Sequence, residues 1–462
     1  MKSTSKRTSL KGSISVPGSK SHTIRACLLA ALAEGTSYIR NPLPSADCNS
    51  AAKCIKELGA NVHMEKDNSL WTIEGAGKNI HLPENIIDVG NSGSVLYFLT
   101  PIASTFAGWS VFTGDESIRT RPVKHLAQAL EQLGAKTHIT RPEKDAPPLL
   151  VQGPILPGKV VTDGRLSQYI SGIMMAATRL NGTTTIELTD PKEVPYLDMT
   201  RIWLESLGVQ VTMSKDYKNI SVKGPVTFNA IDRTIPSDWE AVAFPLVAAL
   251  ITDSEIVIER IDGSGSQGDE AIVDILKSVG GDIEWNKETQ QLFVRGGTKS
   301  RLGFGASGRL STENLPNKTL RINCSGFPDA VPALCVTACF IEGTTVIEDI
   351  GVCRRKETDR ITVMKSELDK LGATVEEGED YIIIHGHSPI TSEGQPNKEF
   401  QIHGGTVNSY EDHRVAMSFA VMGLALESEI VVTQAECCSV SFPDFFERMN
   451  GIGACIKLQE ET

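Results

Sequence analysis

The chain has 462 residues, too many for one ordinary hydrophobic core, so two domains of roughly 200 residues each are expected. A formal net charge of −12 excludes a general nucleic-acid or anionic-membrane surface, and 40% hydrophobic against 22% charged residues is the balance of a soluble globular protein. Cationic clusters in so acidic a chain therefore point to local sites for small anions. The ten cysteines sit mostly singly in apolar runs with no CxxC pair, which suits buried thiols in a reducing compartment better than disulfides or a zinc site. No apolar run reaches membrane-spanning length and residues 1–13 lack the apolar core of a signal peptide, so the expected location is cytoplasmic.

Taken in order, Ser13-Ile14-Ser15-Val16 alternates polar with apolar and predicts a strand that Pro17 and Gly18 break. Ser19, Lys20 and Ser21 then fall on a turn before an apolar helix beginning near Ile24, with Lys20 and Arg25 facing whatever space the turn borders. A capped helix with a solvated cationic first turn is the plain alternative. A Walker-type phosphate loop is excluded, because its glycine directly precedes the lysine and here Ser19 intervenes.

From this point one pattern recurs six times: a small-residue apolar helix, a Gly/Thr-rich strand, an amphipathic helix closed by glycine, and another strand. The closing glycines are Gly59, Gly134, Gly208, Gly280, Gly372 and Gly453, each a candidate for the left-handed residue that ends a helix. The apolar helices carry Ala and Leu on nearly every side, which implies burial all round. Six copies make two domains of three repeats, with a break between Asn229 and Pro236; the irregular stretch 299–316 reads as a surface excursion.

Charged clusters interrupt the pattern near the starts of repeat helices, where free backbone N–H groups and the helix dipole favour anions. They are Lys20 to Arg25; Asn91-Ser92-Gly93-Ser94; Arg119-Thr120-Arg121; Ser167-Gln168-Tyr169; Asp329; Arg354 to Arg360; and Glu411-Asp412-His413-Arg414. Any one alone reads as a helix turn laced with ion pairs. Together they point to a polyanionic small substrate.

The ordered segments VPGSKSHTIRACLLAALAEGT, DVGNSGSVLYFLTPIA, TGDESIRTRPVKHLAQALEQLGA, PYLDMT, FPDAVPAL, RRKETDRITVMKSELDKLGA and YEDHRVAMSFA cover nearly the whole chain and resemble the enolpyruvyl transferase family. The resemblance implies an α/β fold of two inside-out, barrel-like domains with three repeats each, the N-terminal strand joining the C-terminal half. The expected domains are 1–20 with 235–462, and 21–234. It also implies transfer of the enolpyruvyl group of phosphoenolpyruvate to the 5-hydroxyl of shikimate-3-phosphate, in the pathway to chorismate and the aromatic amino acids. By that resemblance Lys20, Asn91, Gly93, Arg121, Arg360 and Arg414 hold the donor. Ser21, Arg25, Ser167, Gln168, Tyr196, Asp329 and Lys356 hold the acceptor, and Lys20, Asp329 and Glu357 carry the proton chemistry. No metal or other cofactor is implied. The expected form is a monomer acting on small molecules, with no nucleic-acid or membrane partner.

Several positions depart from the family pattern. Leu166 stands where the first of two acceptor-phosphate serines is usual, Glu193 where S-x-P-Y has its serine, and Val352 where an asparagine precedes the KETDR lysine. On the donor side Val440 replaces a lysine and Tyr97 an arginine. Two alternatives follow: a paralogue using a carboxylated cyclic acceptor without the 3-phosphate, and a homologue that binds ligands without turnover. The sister enzyme acting on UDP-N-acetylglucosamine usually carries a reactive cysteine on the donor-facing loop, where this chain has Ser117-Ile118-Arg119-Thr120-Arg121.

Overall fold

The computed structural model describes residues 1–141, 143–301 and 308–460. Within the expected excursion, 302–307 lie outside the described residues. The chain divides into two compact units, Gly18–Pro236 and Met1–Pro17 with Ser237–Thr462. The expected boundaries after 20 and 234 therefore move to 17/18 and 236/237. The physical reason is Pro17-Gly18: Ser19 takes an extended N-cap conformation directly after that break, and the helix starts at Lys20 rather than near Ile24. Lys20 and Ser21 thus occupy the first helical turn.

Among the described residues each unit holds three buried helices and three sheets. In the continuous unit these inner helices are Lys20–Leu32, Gly93–Ala103 and Ser167–Ala177. In the split unit they are Trp239–Ile251, Val331–Ala338 and His413–Met422. Every residue of Trp239–Ile251 is buried, the outcome required of a helix apolar on all sides. Close approach is specific: a Cβ at Gly172 would fall 2.2 Å from the carbonyl oxygen of Tyr97, so only glycine lets these two helices cross. The sheets outside alternate buried and exposed residues, one face on the helices and one in water.

In each of the six sheets among the described residues the strand after an inner helix has a parallel neighbour on one side and an antiparallel neighbour on the other. Ile87–Asp88 pairs Gly108–Thr113 in this way, and Lys159–Thr162 pairs Gly182–Leu188. The split unit is completed by the N-terminal segment. Lys11–Ser15 lies parallel to Glu255–Glu259, and Lys2–Ser5 is antiparallel to both Ile430–Thr433 and Ile456–Gln459. The polypeptide between Lys11–Ser15 and the helix Trp239–Ile251 is the entire continuous unit. All six closing glycines have positive φ, between 85° and 99°, the backbone that ends an outer helix and launches the next strand. No helix among the described residues is long and apolar enough to cross a membrane.

Candidate active site

Several of the expected site residues lie at inner-helix N-termini, where the first backbone N–H groups have no partner within the helix. In the continuous unit Lys20, Ser21 and Arg25 lie on the first inner helix, Asn91 and Gly93 open the second, and Ser167 and Gln168 open the third. Tyr196 sits in the outer helix Val194–Ser206.

Arg25 is the centre of this cluster. It is 1% exposed and donates from Nε to Thr200 Oγ1 (2.9 Å), from Nη1 to the Ser21 carbonyl (3.0 Å), and from Nη2 to the Tyr196 carbonyl (3.1 Å) and Ser171 Oγ (3.4 Å). Its guanidinium lies 4.8 Å from the centroid of the Phe98 ring. All these partners are neutral. Burial accordingly pulls its pKa down to about 10, a cation held in a place that lacks its counter-ion. Nearby, Gln168 Nε2 donates to Ser94 Oγ (3.0 Å), joining the second and third repeats, and Asn91 Nδ2 reaches Asp47 at 3.4 Å. The buried Arg121 guanidinium packs beside Gly93, where an added Cβ would sit 3.7 Å from its Cζ.

In the split unit Arg360 organises the second cluster. It is fully buried and donates to Asp412 Oδ2 (2.7 Å, Nε), to Glu357 Oε2 (2.7 Å, Nη2) and, through Nη1, to Asp329. Burial works against its charge, but the carboxylates of Asp412, Glu357 and Asp329 outweigh it and push the guanidinium well above its usual range. Asp329 is shared: Arg414 Nε lies 3.4 Å and Lys356 Nζ 3.9 Å from its carboxylate. Arg414 also pairs with Glu240 on the helix Trp239–Ile251. Behind them Asp269 is buried, and desolvation followed by the charges of Glu240 and Asp329 raises its carboxyl far above the ordinary range.

Two of the expected site residues make their hydrogen bonds to protein carboxylates. All three nitrogens of Arg360 reach protein carboxylates, and Asp329 and Glu357 are held on the same guanidinium. Ser167 is already engaged: both its N–H (3.0 Å) and its hydroxyl (2.9 Å) donate to Glu193 Oε2. Sequence reading missed Glu240, Ser171 and Thr200 as members of the clusters. The one available signal was a glutamate at the second position of an otherwise apolar helix, WEAVAFPLVAALI.

A family model described as EPSP synthase (3-phosphoshikimate 1-carboxyvinyltransferase) matches residues 4–449. The chain belongs to the EPSP synthase family. A protein of Ruminiclostridium cellulolyticum named 3-phosphoshikimate 1-carboxyvinyltransferase is 36% identical over 452 residues, covering 98% of each chain. One of the same name from Acetivibrio thermocellus is 37% identical, over 98% of this chain and 99% of its own. Among solved structures, the EPSP synthase of Acinetobacter baumannii superposes with a TM-score of 0.79 at 27% identity, covering 99% of this chain and 100% of its own. The enolpyruvyl transferase NikO from Streptomyces tendae, at 16% identity and a TM-score of 0.75, bears on the fold alone.

The positions that depart from the EPSP synthase pattern each have a structural occupation. Tyr97 is buried and its hydroxyl donates to the Pro122 carbonyl (2.7 Å), pinning the turn that carries Arg121. Val352 packs against the apolar core, and Val440 ends the short turn Ala435–Val440. Leu166 is the N-cap of Ser167–Ala177 and offers no side-chain acceptor; the buried Glu193 carboxylate supplies it from another repeat element. Arg165, the nearest candidate to offset Glu193 in sequence, is exposed and bound to Asp190 at 2.9 Å.

Proposed function

We propose that the chain transfers the 1-carboxyvinyl group of phosphoenolpyruvate to the 5-hydroxyl of shikimate-3-phosphate with release of phosphate, as a cytoplasmic monomer. The observation that carries this reading is the Arg360 network: a candidate base and a candidate acid fixed on one buried guanidinium, in a chain that matches 3-phosphoshikimate 1-carboxyvinyltransferases along its length.

The residues divide the work as follows. Lys20, Arg121 and Arg414 hold the donor's anionic groups, with Asn91 and the side-chain-free Gly93 lining its close approach. Ser21, Arg25, Gln168 and Tyr196 hold the acceptor, Arg25 receiving its carboxylate. Glu357 delivers a proton to the donor methylene, which makes the adjacent carbon electrophilic. The acceptor hydroxyl attacks that carbon as its proton passes to Asp329, beside Lys356. The tetrahedral adduct then collapses: phosphate departs and the methyl carbon returns a proton to Glu357. Each proton-transfer group contributes about 10² to 10⁴ in rate, with positioning and anion binding supplying much of the remainder. Arg360 is a positioning residue in this scheme.

The test is phosphate release by the purified chain given phosphoenolpyruvate and shikimate-3-phosphate. Asp329→Ala and Glu357→Ala each abolish it; release that survives both changes removes the assignment. A second reading, the same transfer to a carboxylated cyclic acceptor without the 3-phosphate, is favoured by the position of Glu193. Shikimate competing well against shikimate-3-phosphate in that assay supports it.

A further inference from the structure

The repeat gives the second residue of an inner helix a recurring duty. Under the transfer reading Ser21, Gln168 and Arg414 touch substrate, and each is the second residue of its helix, in Lys20–Leu32, Ser167–Ala177 and His413–Met422. In Trp239–Ile251 that place belongs to Glu240. The helices of Glu240 and Arg414 also begin alike: Asp238 Oδ1 accepts the Glu240 N–H (3.1 Å) as Asp412 Oδ1 accepts the Arg414 N–H (2.9 Å). Capping is therefore the work of the two aspartates. The Glu240 side chain crosses to the neighbouring helix instead, where its Oε2 accepts from Arg414 Nη2, and both residues are buried.

A carboxylate at this place adds negative charge where it is already plentiful. Arg414 has a second carboxylate in Asp329, 3.4 Å from its Nε. Asp329, Glu357 and Asp412 share Arg360, and Lys356 Nζ lies 3.9 Å from Asp329. Asp269 behind them is pushed above the carboxylate range by burial first and by Glu240 next. Toward an incoming anion the consequence has a definite sign. A ligand that needs Arg414 uncovered binds with an affinity reduced by the fraction of molecules in which it is uncovered. The displaced carboxylate then stands beside the anion and repels it. A ligand making several other contacts overcomes this, and a simple oxyanion does not.

We propose that Glu240 is an affinity-determining residue of the donor subsite: its carboxylate covers Arg414 in the unliganded protein and gives way to an anionic group of phosphoenolpyruvate, which sets the donor concentration the chain requires and turns away simple oxyanions. The proposal rests on the transfer reading for taking Arg414 as a donor residue.

The experiment is steady-state phosphate release by the full chain with saturating shikimate-3-phosphate and varied phosphoenolpyruvate, for the wild type, Glu240→Gln and Glu240→Ser. The expected result is a fall in KM for phosphoenolpyruvate of about fivefold or more in both variants, equivalent to about 1 kcal/mol, with kcat moving less than KM. Sulfate added as a competitor should inhibit the variants more strongly than the wild type by a similar factor. A KM that is unchanged or higher in the folded variants overturns the proposal, because a purely structural ion pair would lower stability and leave donor affinity no better. If neither variant folds, the wild type decides: sulfate at tens of millimolar leaves its rate at subsaturating donor nearly unchanged, and clear competition overturns the proposal. Failure of the transfer reading shows separately, as no phosphate released by the wild type. Calorimetric titration of phosphoenolpyruvate into wild type and Glu240→Gln then decides by the same affinity ratio, and binding to neither protein overturns the proposal.

Discussion

Arg25→Met should make the unliganded protein more stable while destroying acceptor binding. Burial lowers the pKa of Arg25 to about 10, which corresponds to a cost of about 3 kcal/mol for holding its charge at neutral pH. Methionine has a similar reach and no charge. It forfeits the cation–π contact with Phe98, worth up to about 2 kcal/mol when desolvated, and recovers part of it through sulfur–aromatic contact. Few acceptors are stranded, because the single hydroxyl proton of Thr200 stays within the same group, with the Tyr196 carbonyl (2.9 Å) and Ser171 Oγ (2.8 Å) both in reach. The net expectation is a gain of about 1–2 kcal/mol, or roughly 2–8 °C in the melting of a unit of this size. The assay is thermal and urea unfolding of both proteins, with and without acceptor. A pH series adds a second check whose sign is fixed. The folded pKa lies below the unfolded one, so the penalty is fully present below about pH 10 and relaxes above it, as the folded state sheds its proton first. The stability gap between variant and wild type should hold from pH 7 to 9 and narrow above 10. Acceptor should raise the melting temperature of the wild type alone. A variant less stable than wild type by more than 1 kcal/mol refutes the reasoning, since the neutral hydrogen bonds of Arg25 would then outweigh its desolvation.

Other substitutions test the second cluster and the donor loop. Arg360→Met removes the cation shared by Asp329, Glu357 and Asp412 and should destabilise the chain by about 3–5 kcal/mol, read as a lower urea midpoint; a loss below 1 kcal/mol would mean that the network is not structural. Tyr97→Phe deletes the hydroxyl that pins Pro122 and so loosens Arg121. It should weaken donor use by about 1 kcal/mol, or about fivefold in kcat/KM for phosphoenolpyruvate, with acceptor affinity unchanged; an equal loss on both substrates would point to a general fold defect.

The architecture was legible before any coordinates because it is written in local, repeated signals. Six glycines with left-handed backbones close six helices, and six runs of Ala and Leu fill two sets of three buried helices, each the consequence of a rule that acts within a dozen residues. The location of Lys20 was off by a turn because Ser19, extended after Pro17-Gly18, starts the helix earlier than its apolar run does. The chemistry-bearing residues could be named one by one from their resemblance to the enolpyruvyl transferases, and the clusters they form could not. Glu193 meets Ser167 across 26 residues, Asp412 meets Arg360 across 52 and Glu240 meets Arg414 across 174. Sequence alone determined the repeat count, the buried helices and the family. Only the tertiary structure decided which charges are already neutralised and which still lack a counter-ion, because ion pairing depends on distances of a few ångströms between segments that the sequence separates by scores of residues.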